Sequence, residues 1–116
     1  MAASSFPKSV RLATGKDFTR VFEKPRKVRA NGFTFYLREN DMGQARLGLA
    51  VPKKAVRLAV DRNRIKRLVR ESFRQQSGLG SVDIVFLAYK GIDERTNHDI
   101  MSALNQAWIQ VAKIYA

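Results

Sequence analysis

Cysteine is absent from this chain of 116 residues, and histidine occurs once, at His98. Without thiols, neither a disulfide framework nor a thiolate metal site is available. There is no cysteine nucleophile, no histidine pair, no Walker loop and no dinucleotide fingerprint, so the usual constellations for covalent, metal or nucleotide chemistry are missing. No apolar run approaches the roughly 20 residues needed to span a bilayer, and no membrane partner is expected. Met1-Ala2-Ala3-Ser4-Ser5-Phe6-Pro7 lacks the basic start and apolar core of a signal peptide, which makes the cytoplasm the expected compartment. Internal repeats, low-complexity tracts and interdomain linkers are not evident, and the length suits one domain over residues 1–116. Negative charge is also scarce: 10 Asp and Glu stand against 22 Lys and Arg, a net charge of +12.

The positive charge is unevenly placed. Residues 53–74 carry nine basic and two acidic side chains, residues 8–30 carry eight and two, and the remainder is slightly acidic. Local excess of this kind is the footprint of a site for a polyanion, whereas a solubility surplus would be spread more evenly. The first concentration includes Asp61-Arg62-Asn63-Arg64-Ile65-Lys66-Arg67-Leu68-Val69-Arg70-Glu71-Ser72-Phe73-Arg74. At 100° per residue, Ile65, Leu68, Val69, Ser72 and Phe73 share one side, and Asn63, Lys66, Arg67, Arg70 and Arg74 share the other. The pattern predicts a helix buried on one face and cationic on the other. Arg64 projects about 120° from the centre of the cationic face, which points to a separate contact or an acidic partner.

The remaining elements follow from period and punctuation. The first dozen residues read as an extended, flexible arm. Thr14 caps a short helix through Phe22, with Phe18 and Phe22 four apart on one face, and Glu23-Lys24-Pro25 ends it. Phe33 to Arg38 alternates as a strand with Phe33, Phe35 and Leu37 facing one way, and Val28 to Ala30 adds a short strand before it. Arg46 to Val51 resumes the alternation through Leu47, Leu49 and Val51, and the two longer segments are expected to form an antiparallel hairpin. Asp61 is the expected N-cap of the basic helix, which Ser77-Gly78-Leu79-Gly80 terminates. Val82 to Ala88, the most apolar run, reads as a central strand. Thr96 and Asp99 resemble a capping box for a last helix buried through Ile100, Leu104, Ala107, Trp108 and Val111. The economical architecture is α+β, with helices on one face of a small sheet.

Arginine brings a rigid fork to phosphate oxygens and lysine a mobile point charge, so Arg62, Arg64, Arg67 and Arg70 around Asn63 and Lys66 suit a nucleic acid backbone. Phe18, Phe22 and Tyr36 lie beside the amino-terminal basic region and are candidate stacking residues for a single strand. Tyr36 is the better surface candidate because it alternates away from Phe35. His98 is placed at the start of the last helix as a surface or capping residue. Asp93, Glu94 and Asp99 nearby read as helix-start acids, and no metal ligands are assigned. These residues alone also allow a structural RNA-binding module such as a ribosomal protein, a self-sufficient metal nuclease, and a DNA binder using the basic helix in a major groove.

Gly48-Leu49-Ala50-Val51-Pro52-Lys53-Lys54 and Ala59 to Glu71, with its Arg62-Asn63-Arg64 element, resemble the protein component of bacterial ribonuclease P. Phe18-Thr19-Arg20-Val21-Phe22, Asp83-Ile84-Val85-Phe86 and Lys90-Gly91 extend the resemblance over about residues 11–110. It implies a mixed or antiparallel sheet of about four strands packed with about three helices, including a left-handed βαβ crossover. It further implies an accessory subunit to a catalytic RNA that removes the 5′ leader from precursor tRNA, with magnesium ions held mainly by the RNA and none bound tightly by the protein. On that pattern Lys53, Lys54, Arg62, Asn63, Arg64, Lys66, Arg67 and Arg70 face the RNA subunit. Phe18, Phe22, Tyr36, Arg11 and Lys90 face the leader, no residue of the protein is catalytic, and the protein alone is a monomer.

Overall fold

The computed structural model describes residues 10–12 and 14–116, so most of the expected arm lies outside the described residues. The chain runs α1 (Gly15–Phe22), β1 (Arg26–Ala30), β2 (Phe33–Glu39), β3 (Arg46–Ala50), α2 (Ala59–Arg74), β4 (Val82–Ala88), a 3₁₀ turn (Ile92–Glu94) and α3 (Asn97–Tyr115). The strands form one sheet in the order β1-β2-β4-β3. β1 and β2 are antiparallel, as are β2 and β4, while β3 and β4 are parallel and joined through α2.

That order corrects the expected hairpin between β2 and β3. Their directions are opposed, but β4 lies between them, pairing Phe35 with Phe86 on one side and Leu49 with Phe86 on the other. The reason lies in β4 itself: six of its seven residues are buried, so a neighbour on each edge satisfies its backbone while helices cover both faces. The hairpin in the structure is β1–β2, closed by Asn31-Gly32, with Gly32 at φ +93°. Glycine meets that conformation without a Cβ penalty.

Two further expectations need correction. α1 lies on the opposite sheet face from α2 and α3: Val21 packs there with Leu12 and Val85, separately from the main core. The alternation that sends Phe35 and Phe86 to one side sends Tyr36 and Val85 to the other, and that second apolar patch requires its own cover. The N-cap of α2 is Leu58, not Asp61; the Leu58 carbonyl accepts from the amides of Asp61 and Arg62 at 3.1 and 3.0 Å. Asp61 sits in the first turn instead, where its charge favours the positive end of the helix dipole.

Other expectations hold. Thr14 caps α1 by accepting from the Asp17 amide, and Thr96 caps α3 by accepting from Asp99. The predicted inward faces of α2 and α3 are the buried ones, residue for residue. Trp108 stacks 4.5 Å from Phe35 and donates its indole N–H to the buried Ser72 hydroxyl at 2.6 Å, so the one polar residue of the α2 inner face has a defined partner. Along β3, Arg11 bridges in parallel to Leu47, and the Leu12 amide donates to the Leu47 carbonyl at 3.0 Å.

One charge is buried completely. Asp83 of β4 is 0% exposed and accepts both Nε and Nη2 of Arg46 at 2.8 Å, Arg20 Nη1 at 3.3 Å and Asn40 Nδ2 at 2.7 Å. Arg20 also donates to the Glu39 carbonyl, and Arg38 donates to the carbonyl of Arg20. Helix α1, strand β3 and the loop after β2 thus converge on one carboxylate. Asp83→Ala strands the partly buried Arg46 and is expected to cost about 3–5 kcal/mol. A drop in the urea midpoint, smaller for Asp83→Asn, is the measurement; an unchanged midpoint would show the cluster to be energetically idle.

Candidate nucleic-acid interface

Helix α2 is amphipathic because its apolar residues recur at three- and four-residue spacing, and the core takes that stripe. Asn63, Arg67, Arg70 and Arg74 consequently point to solvent, with Lys66 partly buried at the edge. None of Arg62, Arg64, Lys66, Arg67 and Arg70 lies within ion-pair distance of a carboxylate among the described residues. Two of the arginines are nonetheless engaged. Arg62 donates to the carbonyls of Val56 and Arg57 at 3.1 and 2.8 Å, clasping the loop that enters the helix. Arg64 donates to Asn97 Oδ1 at 2.6 Å and to the Asp93 carbonyl at 3.0 Å, which is the separate contact its angle on the helix requires. Carbonyls satisfy donors without neutralising charge, so both arginines keep their full field. Lys53 and Lys54 stand exposed in the turn where the amides of Ala55 and Val56 return to the Pro52 carbonyl.

The second surface lies between α1 and the sheet. Phe18 rests on the β3 backbone at Gly48, where an added Cβ would come within 2.7 Å of its ring. Arg11, Phe18 and Gly48 share a hollow of about 180 Å³ with Lys66 and Arg70 of α2. The structure therefore brings together two groups that the sequence reading kept apart. Phe22 is 42% exposed and its ring centroid lies 4.9 Å from that of Tyr36, over which Lys27 Nζ sits at 5.5 Å. Phe18 and Tyr36 are partly buried, so none of the three aromatics is lost to the core. Lys90 shares a different hollow with Lys54.

Sequence reasoning missed Tyr89 and Thr34, whose hydroxyls meet at 2.8 Å, and the placing of Lys27 and Arg29 opposite Tyr36 and Thr34. The available signal was Lys27-Val28-Arg29, in which an apolar residue between two cations turns both cations to the opposite sheet face. These neighbours shift the phenols in opposite directions. Hydrogen bonds with Thr34 and then Tyr36, aided by the charges of Arg29 and Lys27, lower the Tyr89 pKa. Tyr36 is raised, first by its hydrogen bond with Tyr89 and then by burial. His98 is exposed, 3.9 Å from Asp99, and no group of three histidine, aspartate or glutamate residues among the described residues could hold a metal ion.

The chain matches the family model described as Ribonuclease P over residues 6–112. It belongs to the bacterial ribonuclease P protein family. The ribonuclease P protein component of Legionella pneumophila (strain Corby) is 48% identical over 111 residues, covering 96% of each chain. That of Marinobacter nauticus is 46% identical over 99% of this chain and 88% of its own. Among solved structures, the Staphylococcus aureus RNase P protein superposes with a TM-score of 0.82 at 32% identity, covering 94% of this chain and all of that one. The Thermotoga maritima RNase P protein gives 0.76 at 28% identity, over 91% and 98%. The chain is accordingly the accessory, non-catalytic protein subunit of the ribonuclease P holoenzyme, assisting RNA-catalysed cleavage of the 5′ leader from precursor tRNA. Its family places RNA and precursor tRNA as partners, and no helix among the described residues is long and apolar enough to cross a membrane.

Two substitutions test this geometry. Thr34→Val removes the hydroxyl that can turn and donate to the Tyr89 phenolate, so Tyr89 should titrate at higher pH in a tyrosine ring-carbon NMR titration. Gly48→Ala should displace the Phe18 ring and destabilise by about 1–3 kcal/mol, as overpacking generally does; an unmoved ring in its crystal structure would refute the close approach.

Proposed function

We propose that the protein bridges two polyanions through two adjoining surfaces. The cationic face of α2, with Lys53, Lys54, Arg62, Asn63, Arg64, Lys66, Arg67 and Arg70, takes the RNA subunit. The hollow between α1 and the sheet, with Phe18, Phe22, Tyr36 and Arg11, takes the single-stranded leader, and Lys90 meets leader phosphate further along. One observation carries this reading: Lys66 and Arg70 project from the RNA-facing helix into the same hollow as Phe18 and Arg11. A catalytic RNA repels its substrate, and cations shared between the two lower that repulsion while releasing counterions from both. Aromatic rings add base stacking that tolerates any leader sequence.

Magnesium belongs to the RNA in this account. The described residues offer no carboxylate or histidine cluster for it, and the protein contributes charge and positioning, with no acid–base step of its own. The protein acts in the cytoplasm as a monomer until it meets its RNA.

Arg67→Ala is the clean test of the first surface, because Arg62 and Arg64 also hold the fold together. It should weaken assembly with the RNA subunit and reduce the salt slope by about one. Phe18→Ala should weaken binding of leader-bearing precursor by about 1–3 kcal/mol, the range for one stacked base, and leave mature tRNA unaffected. Equal losses for both ligands, at an unchanged melting temperature, would reject the cleft assignment. Cleavage assays omitting protein and RNA subunit in turn complete the test.

A further inference from the structure

Beyond the Phe18 hollow, the sheet face carries a second concavity of about 270 Å³, lined by Pro52, Lys54, Leu87, Tyr89 and Lys90. Its lining is apolar almost throughout, and Lys54 and Lys90 border it with their hydrocarbon stems, each carrying a positive charge at its end. Tyr89 is 41% exposed, a large aromatic surface at a position that core packing does not explain. It is nonetheless held firmly. Its hydroxyl donates to Thr34 Oγ1 at 2.8 Å, and its amide donates to the Gly32 carbonyl at 2.8 Å, extending the sheet ladder by one residue. A ring anchored at both ends has little freedom left to lose when a partner lies on it.

We infer that this concavity is a second base-stacking subsite, taking one unpaired nucleotide with its base against Tyr89, Leu87 and Pro52 and its phosphate between Lys54 and Lys90. Three observations select that occupant. The volume falls below the roughly 300–1,000 Å³ of pockets for drug-sized ligands, so the guest is small. Two lysines beside an apolar floor complement a group that is anionic at one end and aromatic at the other. A duplex keeps its bases stacked on one another, so only a single strand can offer a base face to Tyr89. Tyr89 meets Thr34, Thr34 and Tyr36 lie on one face of β2, and Tyr36 meets the Phe22 ring at 4.9 Å, so the subsite is continuous with the proposed leader cleft. The inference rests on that cleft reading and extends it: the leader crosses the sheet and is gripped at two separated bases.

The experiment uses holoenzyme reconstituted from protein and RNA subunit. Its ligand is precursor tRNA with a hydrolysis-resistant scissile phosphate and 2-aminopurine at successive leader positions. Tyr89→Leu should weaken leader-bearing precursor by about 5- to 150-fold, as loss of one stacked base does. It should also restore 2-aminopurine fluorescence at one position, distinct from the position that Phe18→Ala restores. Tyr89→Phe keeps the stacking surface and should preserve the quenching. If Tyr89→Leu binds as the parent does while Phe18→Ala is impaired, the second subsite is refuted and the cleft stands. If neither variant is impaired, the cleft reading falls as well. Restoration at the same position by both variants, or an equal loss for mature tRNA, also overturns the subsite. Should Tyr89→Leu lower the melting temperature, Lys54→Ala decides in the assembled holoenzyme: a salt dependence flatter by about one counterion for leader-bearing precursor but not for mature tRNA supports the subsite, and an unchanged slope or an equal change for both refutes it.

Discussion

A single buried carboxylate organises the molecule. Asp83 sits near the start of a strand flanked on both edges, with no solvent contact, in a chain whose net charge is strongly positive. Burying an ion is costly unless its lone pairs are filled, and here a bidentate arginine, a second arginine and an amide fill them. Those donors come from α1, from β3 and from the loop after β2. The position of α1 on the sheet, and with it the placing of Phe18 and Phe22, therefore follows from where β4 carries its carboxylate.

The same chemistry explains how the protein remains folded while presenting so much positive charge. The cations beside the start of β4 are partly met from inside: Arg20 and Arg46 face Asp83, and Arg46 also approaches Asp17 at 3.8 Å. On α2 the solution differs. Arg62 and Arg64 are tied to carbonyls and an amide oxygen, which hold the side chains still and leave their charge uncancelled. Arginine serves this purpose better than lysine, since its fork can grip a backbone group with one nitrogen and still show others to a phosphate.

Periodicity within one element was legible throughout. The buried faces of α2 and α3, the caps at Thr14 and Thr96, and the inward side of β2 could be read from local spacing, because each depends on neighbours three, four or two residues away. Relations between elements were less visible. The exchange of a β2–β3 hairpin for β4 inserted between them depends on which strand is apolar on both faces, and that is settled only when all strands compete for the centre. Asp83 looked like one polar interruption in an apolar run; its partners lie 37, 43 and 63 residues away. The cationic helix could be assigned from residue types alone. The join between that helix and the Phe18 hollow could not, because it depends on Gly48 providing no side chain to keep them apart.

The strand order has a consequence for synthesis. β2 and β3 leave the ribosome early yet do not pair with each other, and the strand that unites them, ending at Ala88, arrives only after α2. The parallel pairing closes across a long intervening segment, a kind of contact that forms slowly. An emerging chain thus displays its cationic helix to the RNA-rich surroundings of the ribosome before the central strand exists to support it. Release of the central strand is the moment at which a loose polycation becomes a shaped one.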